Sequence, residues 1–260
     1  MPENAAMKNA HRFNGKALMY DRYREHFSAA VVLPILRAVC GLSAEWTVAD
    51  MGAGTGMLSD IFLANGNRAL AVEPNPGMRE MCQQIHRDHP HLHLIDGTAE
   101  ATGLRSASVD LVAAGRVMHW FDRERALTEF RRILKPDGWV AIIAFGRTED
   151  GRAENVEFEN VLREFSEDHA NTHACYEVYR NLNAYLPRDF YHEEILATTM
   201  MDWENLLGIS LSLSHSPTKD QPSYPEFERS LRGFFDRFAQ NGQVELETRY
   251  WINIGRFASL

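Results

Sequence analysis

The sequence predicts an α/β fold, a mostly parallel sheet of seven strands with helices on both faces and an antiparallel last strand. Two patterns carry this prediction. Between residues 46 and 146, short apolar segments alternate with amphipathic ones, and strand–helix alternation with right-handed crossovers produces a parallel sheet covered on both faces. The chain then closes with VELETRYWINIGRF, a strong strand pattern that we expect at the edge of the sheet.

Five strands and three helices are predicted in the first part of the chain. The strands are TVADM, RALAVE, HLHLID, SVDLVAAG and WVAIIAF. The helices between them are GMLSDIFLANG, PGMREMCQQIHRDH and ERALTEFRRILK. Gly66 ends the first helix, and Pro76 suits the first turn of the second. A Pro-Asp-Gly turn at residues 136–138 precedes the fifth strand.

The segments outside this alternation are predicted to be mainly helical. In the first 45 residues, apolar and aromatic side chains recur at helical spacing, and Pro34 is expected near the start of a second helix over 33–40. Beyond Gly146, helices are predicted over 155–169 and 224–240.

Two segments of the second half are less regular. A strand is predicted near residues 191–198. Residues 201–217 fit either a helix or a strand, and Asp202 in a capping position favours the helix.

We therefore expect one domain over residues 1–260. A ligand-binding core would span 13–146, and a closing strand would span 243–257. Residues 147–240, together with the N-terminal helices, would form a helical lid that recognises the substrate. A domain of this length buries roughly 70–75% of its unfolded surface, so it needs no disulfide or metal for stability.

Composition excludes several classes of function. The net charge of −9, from 27 basic and 36 acidic residues, repels phosphate backbones and disfavours nucleic acid as a partner. No apolar run approaches the ~20 residues of a membrane span, and the N-terminus lacks the apolar core of a signal peptide. Three cysteines without a CxxC pair indicate reduced thiols, so a cytoplasmic location is expected. No heptad pattern indicates an oligomeric state.

The most informative segment is the glycine-rich turn that follows the first strand, residues 50–56, DMGAGTG. Glycines there let the backbone turn sharply and approach a ligand. The spacing is GxGxG, and Met57 occupies the place of the third glycine of a dinucleotide site. Glu73 ends the second strand, where a carboxylate can accept both hydroxyls of a ribose and would repel the 2′-phosphate of NADP. An NAD-dependent oxidoreductase is therefore disfavoured.

Five motifs occur in a family's order: VADMGAGTG, AVEPN, DGTAE, VMHWFD and ILKPDGW. Together they resemble the class I S-adenosylmethionine-dependent methyltransferases, above all the bacterial small-molecule group whose fourth strand runs into His-Trp-Phe. The resemblance covers residues 13–146 and the closing strand, and it covers 147–240 poorly. It implies a Rossmann-like fold, S-adenosylmethionine as cofactor, and methyl transfer to an oxygen, nitrogen or carbon of a small molecule.

The resemblance also implies a set of cofactor-binding residues. Asp50 would lie near the ammonium of the methionine portion, Glu73 would hold the ribose, and Arg24 would pair with the methionine carboxylate. The full set comprises Tyr20, Arg24, Asp50, Gly52, Ala53, Gly54, Thr55, Glu73, Asn75, Met78, Thr98, Ala99, Gly115 and Arg116.

The adenine side of this set departs from the family pattern at one position. Asn75 and Met78 occupy the positions whose residues flank the adenine in this family. The family's usual Asp after strand three falls on Thr98, whose hydroxyl accepts a hydrogen bond more weakly than a carboxylate. Ala99 would offer a backbone N–H to the ring, and a carbonyl at Gly115 or Arg116 would meet the cofactor's ammonium.

His119 is the candidate catalytic base. It stands at the end of strand four, where acceptor and sulfonium would meet, and its titration range suits proton transfer. The alternative is that His119 only hydrogen-bonds a loop. Trp120 beside it could form a wall of the acceptor pocket, and Ser212 and His215 are the further substrate contacts predicted within 147–240.

The histidine cluster of the sequence does not indicate a metal site. His86, His89, His91 and His93 form a local cluster, but they lie on a helix end and one strand face, whereas zinc needs converging ligands, so no metal is expected. No HExxH or GxSxG motif occurs. Two alternatives stay open: a non-catalytic S-adenosylmethionine-binding partner protein, and a methyltransferase that acts on a peptide or protein.

Overall fold

The computed structural model describes residues 23, 26–87, 89–147, 151–166, 179, 181–213 and 216–258 of the chain. We number the described elements in chain order. The strands are β1 Thr47–Met51, β2 Arg68–Val72, β3 Leu92–Ile95, β4 Val109–Gly115, β5 Leu134–Arg147, β6 Arg188–Met201 and β7 Val244–Arg256. The helices are α1 Ala29–Cys40, α2 Ser59–Ala64, α3 Pro76–Ile85, α4 Arg123–Ile133, α5 Ala153–Glu164, α6 Trp203–Ser212 and α7 Tyr224–Phe238.

The strands form one seven-stranded sheet in the order β3-β2-β1-β4-β5-β7-β6. The first five strands are parallel to one another, and β7 is antiparallel to both β5 and β6. This confirms the predicted fold class.

The expectation that the last strand lies at the sheet edge is wrong. β7 lies between β5 and β6, and β6 forms the edge. The reason is burial on two faces: Trp251 packs in the cluster on one face of the sheet, whereas Ile252 and Ile254 pack in the cluster on the other. β6 instead exposes alternate residues such as His192 and Glu194, a pattern typical of an edge strand.

The two faces of the sheet carry separate apolar clusters. On one face, Val48 and Leu111 pack with Leu36 of α1 and Phe62 of α2. On the other face, Val112 and its neighbours pack with α4. Helices on both faces cover the apolar strands. The carboxyl ends of β1, β2, β4 and β5 lie together at one end of the strands.

Helix α1 begins earlier than predicted. It starts at Ala29, so Pro34 lies inside it and not near its start. The carbonyl of Ser28 accepts from the backbone N–H groups of Val31 and Val32 and begins the helix there. Proline removes one helical hydrogen bond, and packing of Leu33 and Leu36 in the core compensates for this loss.

Residues 147–240 contribute both a strand and a helical layer. α6 is a helix as favoured, because the side chain of Asp202 accepts from the N–H of Asn205 at 2.9 Å. A third apolar cluster joins α5, α6 and α7 to Met201 at the end of β6 and Val244 at the start of β7. Arg147 at the end of β5 pairs with Thr248 of β7, so the start of β7 lies at the carboxyl end of β5. The three helices therefore lie at the same end of the sheet as the carboxyl ends of the parallel strands.

Within the described ranges, every helix is too short or too polar to traverse a lipid bilayer.

Candidate active site

The glycine-rich turn lies between β1 and α2, at the point where the strand order reverses. β1 pairs with β2 on one side and β4 on the other, and such a switch point opens a crevice at the carboxyl ends of the strands. The backbone N–H groups of Gly52 and Ala53 donate to the carbonyl of Val72 at 2.8 and 3.1 Å. The turn is therefore anchored to the end of β2.

Two glycines of this turn have left-handed backbone angles, with φ of +64° at Gly52 and +59° at Gly54. A Cβ added at Gly52 would lie 3.2 Å from Val117. A Cβ at Gly54 would meet nothing within 4 Å. Gly54 therefore presents bare backbone to open space in which a ligand can approach.

The third glycine packs against the protein itself. Gly56 has φ of +98°, and a Cβ there would lie 2.5 Å from Nε2 of His86 and 2.9 Å from Sγ of Cys82. His86 is held through Nδ1, 3.2 Å from a carboxylate oxygen of Asp60. His86, part of the histidine cluster in the sequence, thus supports the turn from behind. Within the described ranges, no group of three or more His, Cys, Asp or Glu side chains is arranged for a metal ion.

Glu73 joins the second motif to the first. One carboxylate oxygen accepts from the N–H of Gly54 at 2.9 Å, and the other accepts from the N–H of Asn75 at 2.8 Å. Burial raises the pKa of Glu73, and the two backbone hydrogen bonds oppose that rise. An ionised carboxylate has about four acceptor sites, so Glu73 keeps capacity for a ligand's hydroxyl groups.

Asp50 is a buried carboxyl group beside the turn. It accepts from the hydroxyl of Ser59 at 2.7 Å. Burial raises the pKa of Asp50 to about 7, the Ser59 hydrogen bond opposes this, and the charge of Glu73 adds to it. Ser59 was not predicted as a site residue, although its place in the first turn of the helix after the glycines is the signal that could have found it. A ligand cation near Asp50 would favour its ionised form.

The glycine turn and Asp50 border a small cleft. Glu73, predicted to hold the ribose, is not among the residues that line this cleft, and its contact with a cofactor stays a prediction. Four apolar residues of the lining, Phe27, Met57, Leu58 and Val117, were not predicted. The lining includes seven of the predicted cofactor residues, namely Asp50, Gly52, Ala53, Gly54, Thr55, Gly115 and Arg116.

The polar groups of the cleft suit a ligand with an ammonium group. The hydroxyl of Thr55 is buried and has no hydrogen-bond partner among the described residues, and a buried polar group normally has one. Bare backbone at Gly54 and the carboxyl group of Asp50 lie in the same lining. Thr55 offers a ligand one hydroxyl, Gly54 lets the ligand approach the backbone closely, and Asp50 can accept a hydrogen bond from an ammonium group.

The four residues predicted around the adenine lie outside the cleft lining. Asn75 caps α3, because its side chain accepts from the N–H of Met78 at 3.1 Å. The backbone of Thr98 exchanges two hydrogen bonds with Ala101, and Ala99 is buried. These contacts hold the loops after β2 and β3 in place, and direct contact of these residues with a cofactor stays a prediction.

Gly115 ends β4, and Arg116 follows it. A Cβ at Gly115 would lie 2.8 Å from the Phe27 ring, so glycine lets Phe27 reach the cleft. Arg116 has φ of +59°, and its N–H donates to the carbonyl of Ile143 at 3.0 Å. Its guanidinium lies 4.5 Å from the ring centre of Phe145 on β5.

His119 follows β4 in a short 3₁₀ turn, Met118–Trp120. Its Nδ1 lies 3.5 Å from the hydroxyl of Tyr179, and its ring centre is 4.7 Å from that of Trp120. Burial, with a contribution from the positive charge of Arg116, lowers the pKa of His119 to about 4. The imidazole is therefore neutral at pH 7 and a weaker base than an ordinary histidine. Neither His119 nor Trp120 lines the cleft.

The residues predicted to contact a ligand from the helical lid differ in where the structure places them. Tyr20, Arg24 and His215 lie outside the described residues. Ser212 is buried, and its hydroxyl donates to the carbonyl of Ile209 at 2.7 Å. Ser212 is not part of the cleft lining, and its contact with a substrate stays a prediction.

Tyr23 links the N-terminal segment to the helical layer. Its ring packs against Gly208 of α6, and its hydroxyl donates to Glu204 at 3.3 Å. Phe27, four residues later, lines the cleft. The helical spacing of the N-terminal aromatic residues was the signal that could have placed Phe27 in the site.

Comparison with known proteins finds a similarity to methyltransferases over part of the chain. Residues 49–142 match the family model described as a methyltransferase domain. An uncharacterized methyltransferase of Schizosaccharomyces pombe is 38% identical over 98 residues, 37% of this chain and 38% of that protein. The malonyl-[acyl-carrier protein] O-methyltransferase of Methylococcus capsulatus is 35% identical over 100 residues, 37% of this chain and 36% of that protein. The chain thus matches less than two fifths of the length of these relatives.

A solved structure supports the fold. A protein of Anaeromyxobacter dehalogenans, considered a type II methyltransferase, has a TM-score of 0.63 at 22% identity and covers 90% of this chain and 98% of that chain. This likeness confirms the predicted Rossmann-like fold. The closer resemblance to the group with the His-Trp-Phe segment stays a prediction.

Proposed function

We propose that this chain, whose residues 49–142 match the model of a methyltransferase domain, transfers a methyl group from S-adenosylmethionine to a small molecule. One observation carries the proposal. The carboxylate of Glu73 binds the N–H of Gly54, so the acidic end of β2 and the glycine turn after β1 form one polar wall at the strand switch point.

S-adenosylmethionine would supply an electrophilic methyl group on its sulfonium, so the protein's task is binding and positioning. Asp50 would accept from the cofactor's ammonium, Glu73 from the ribose hydroxyls, and Thr55 would find a partner for its hydroxyl. Phe27 and Leu58 would exclude water from the cleft. These roles rest on the burial and hydrogen bonds of the side chains described above.

A small molecule is the acceptor class that the chain suits best. The net charge of −9 disfavours nucleic acid, and the lining of the cleft combines apolar side chains with a few polar groups, as small-molecule sites do. One relative is named an O-methyltransferase of malonyl-[acyl-carrier protein], which makes an acyl group carried by a protein the second acceptor to test.

Titration calorimetry with S-adenosylhomocysteine tests cofactor binding. We expect Glu73→Ala to weaken binding by about 10–100-fold, since the loss of charge-assisted hydrogen bonds to ligand hydroxyls costs about 1.5–3 kcal/mol. Glu80→Ala, an exposed residue of α3, is the matched control and should bind like the unaltered protein. Absence of binding heat in folded, ligand-free protein would refute the proposal.

Turnover separates an enzyme from a non-catalytic partner protein. A panel of metabolites is incubated with S-adenosylmethionine, and release of S-adenosylhomocysteine is measured. Acceptor-dependent release is expected from an enzyme. Binding without release across small molecules, acyl carriers and peptides would favour the partner-protein alternative.

A further inference from the structure

Helix α6 contains a glycine, Gly208, that the backbone of the helix does not require. Gly208 is buried in the interior of α6, its φ is not in the left-handed region, and glycine is less favourable than alanine inside a helix. A neighbouring side chain explains it. A Cβ at Gly208 would lie no more than 2.5 Å from three carbons of the Tyr23 ring. The missing side chain therefore makes room for this ring against the helix backbone.

The ring of Tyr23 attaches the N-terminal part of the chain to the helical layer of α5, α6 and α7. The Tyr23 hydroxyl also donates to Glu204 of α6 at 3.3 Å. That hydrogen bond is exposed, so water competes with it and the ring contact carries most of the attachment. α6 itself packs through Leu206 and Ile209 in the apolar cluster that it shares with α5 and α7. Tyr23 is therefore tied to the layer as a whole.

Phe27, four residues after Tyr23, reaches the cleft. It lines the cleft, and its ring is edge-on to that of Phe145, with the ring centres 4.9 Å apart. On its other side, the N–H of Ser28 donates to the hydroxyl of Tyr250 on β7 at 3.2 Å. Because four residues of chain span at most about 14 Å, the place of Tyr23 on α6 restricts where Phe27 can lie.

Resting on the proposed function, we propose that Gly208 is a positioning residue for cofactor binding. It seats the Tyr23 ring on α6, and this contact holds Phe27 in the wall of the cleft before the cofactor binds. A side chain that is already in place needs no ordering on binding, so the affinity is higher. Neither Gly208 nor Tyr23 belongs to the described lining of the cleft. The helical layer thus sets the affinity of the cleft from outside it.

Titration calorimetry of the full chain with S-adenosylhomocysteine tests this inference. Gly208→Ala should raise the Kd by about 2–10-fold, because Phe27 must then be ordered on binding. Tyr23→Ala should raise the Kd to a similar extent. Addition of Gly208→Ala to Tyr23→Ala should raise the Kd less than about twofold further, since the ring is no longer there to be displaced. Tyr23→Phe keeps the ring and should lose much less affinity than Tyr23→Ala.

Gly233→Ala is the matched control. Gly233 also lies inside a helix, α7, but a Cβ there would meet nothing within 4 Å, so the Kd should not change. Urea unfolding of each variant separates a loss of stability from a loss of affinity. If Gly208→Ala alone does not fold, the double variant lacks the collision and should fold, and its Kd should match that of Tyr23→Ala.

Two results would overturn the inference. If Gly208→Ala and Tyr23→Ala lower the stability and leave the Kd unchanged, the contact is only structural. If Gly208→Ala raises the Kd by the same factor with and without the Tyr23 ring, its effect does not pass through Tyr23. In both cases the unaltered protein still binds S-adenosylhomocysteine, and the proposed function stands. Absence of that binding in the unaltered, folded protein is the separate failure of the proposed function.

Discussion

At the scale of single residues, the site depends on carboxyl groups that are buried before any ligand is present. Asp50 is 1% exposed, Glu73 is 8% exposed, and burial raises the pKa of each. Burial of a charge without compensation destabilises the fold, so a cationic or hydroxyl-rich ligand bound here would stabilise the ionised form of both groups.

Asp50 should make cofactor affinity depend on pH. Its pKa of about 7 means that the proton must leave before the carboxylate can pair with an ammonium group. S-adenosylhomocysteine should therefore bind about tenfold more weakly at pH 6 than at pH 8. Calorimetry across this range measures the effect. In Asp50→Asn the affinity should be lower throughout and should lose most of this pH dependence.

Asp50 should also make the stability of the protein depend on pH, but in the opposite direction to cofactor affinity. Because the pKa of Asp50 is higher in the folded than in the unfolded state, folding favours the protonated form. The free energy of unfolding should therefore fall as pH rises from about 4 to about 7. Asp50→Asn should be more stable than the unaltered protein at pH 8, and an Asn variant that is less stable there would contradict this account.

At the scale of elements, the glycine turn is held between a strand and a helix. Gly52 and Ala53 bond to the end of β2, and Gly56 rests on His86, just after α3. The carbonyl of Gly56 accepts from the N–H of Asp60 at 2.9 Å, and Asp60 in turn holds His86. The position of α3 therefore controls the shape of the turn.

A double-mutant cycle tests this contact. Gly56→Ala should destabilise the protein by about 2–4 kcal/mol, because the added Cβ collides with His86 and the left-handed φ disfavours alanine. In the His86→Ala background the cost should fall by at least about 1 kcal/mol, since the ring no longer occupies the space. Urea unfolding of the four proteins gives the coupling.

Gly233→Ala is the control for this cycle. A Cβ at Gly233, in the interior of α7, would meet nothing within 4 Å, so alanine should stabilise the protein by about 0.5–1 kcal/mol. Additive effects of Gly56→Ala and His86→Ala would show that the histidine does not support the turn.

At the scale of the whole molecule, the cleft beside the glycine turn lies where several elements meet. Phe27 precedes α1, Asp50 ends β1, and Arg116 follows β4. The helices α5, α6 and α7 lie at the same end of the strands. A ligand in the cleft would therefore stabilise contacts that are distant in sequence.

Ligand binding should then raise the stability of the chain as a whole. At 100 times its Kd, S-adenosylhomocysteine should add about 2.7 kcal/mol to the free energy of unfolding. For a chain of this size that corresponds to a rise in Tm of about 5–10 °C. Differential scanning calorimetry measures the shift, which should be much smaller for Glu73→Ala at equal ligand concentration. An unchanged Tm in protein that binds the ligand would contradict the linkage.

Much of the architecture was predictable because its signals are local. Strand and helix periodicity, the capping Asp202, the glycine turn and the acidic end of β2 are properties of neighbouring residues. Seven of the predicted cofactor residues line the cleft for that reason. The start of α1 was predicted four residues late, since Pro34 is also a common signal of a first helical turn.

Sequence alone determined the fold class, the likeness of residues 49–142 to a methyltransferase domain, and the two motifs that meet at Glu73 and Gly54, because each is encoded in residues close together along the chain. Tertiary structure alone decided that β7 is an interior strand, that Phe27 reaches the cleft, that Ser59 binds Asp50, and that His86 supports Gly56. Those outcomes depend on which elements become neighbours in space. That choice is made by burial of apolar surface over the entire sheet, which no local spacing records.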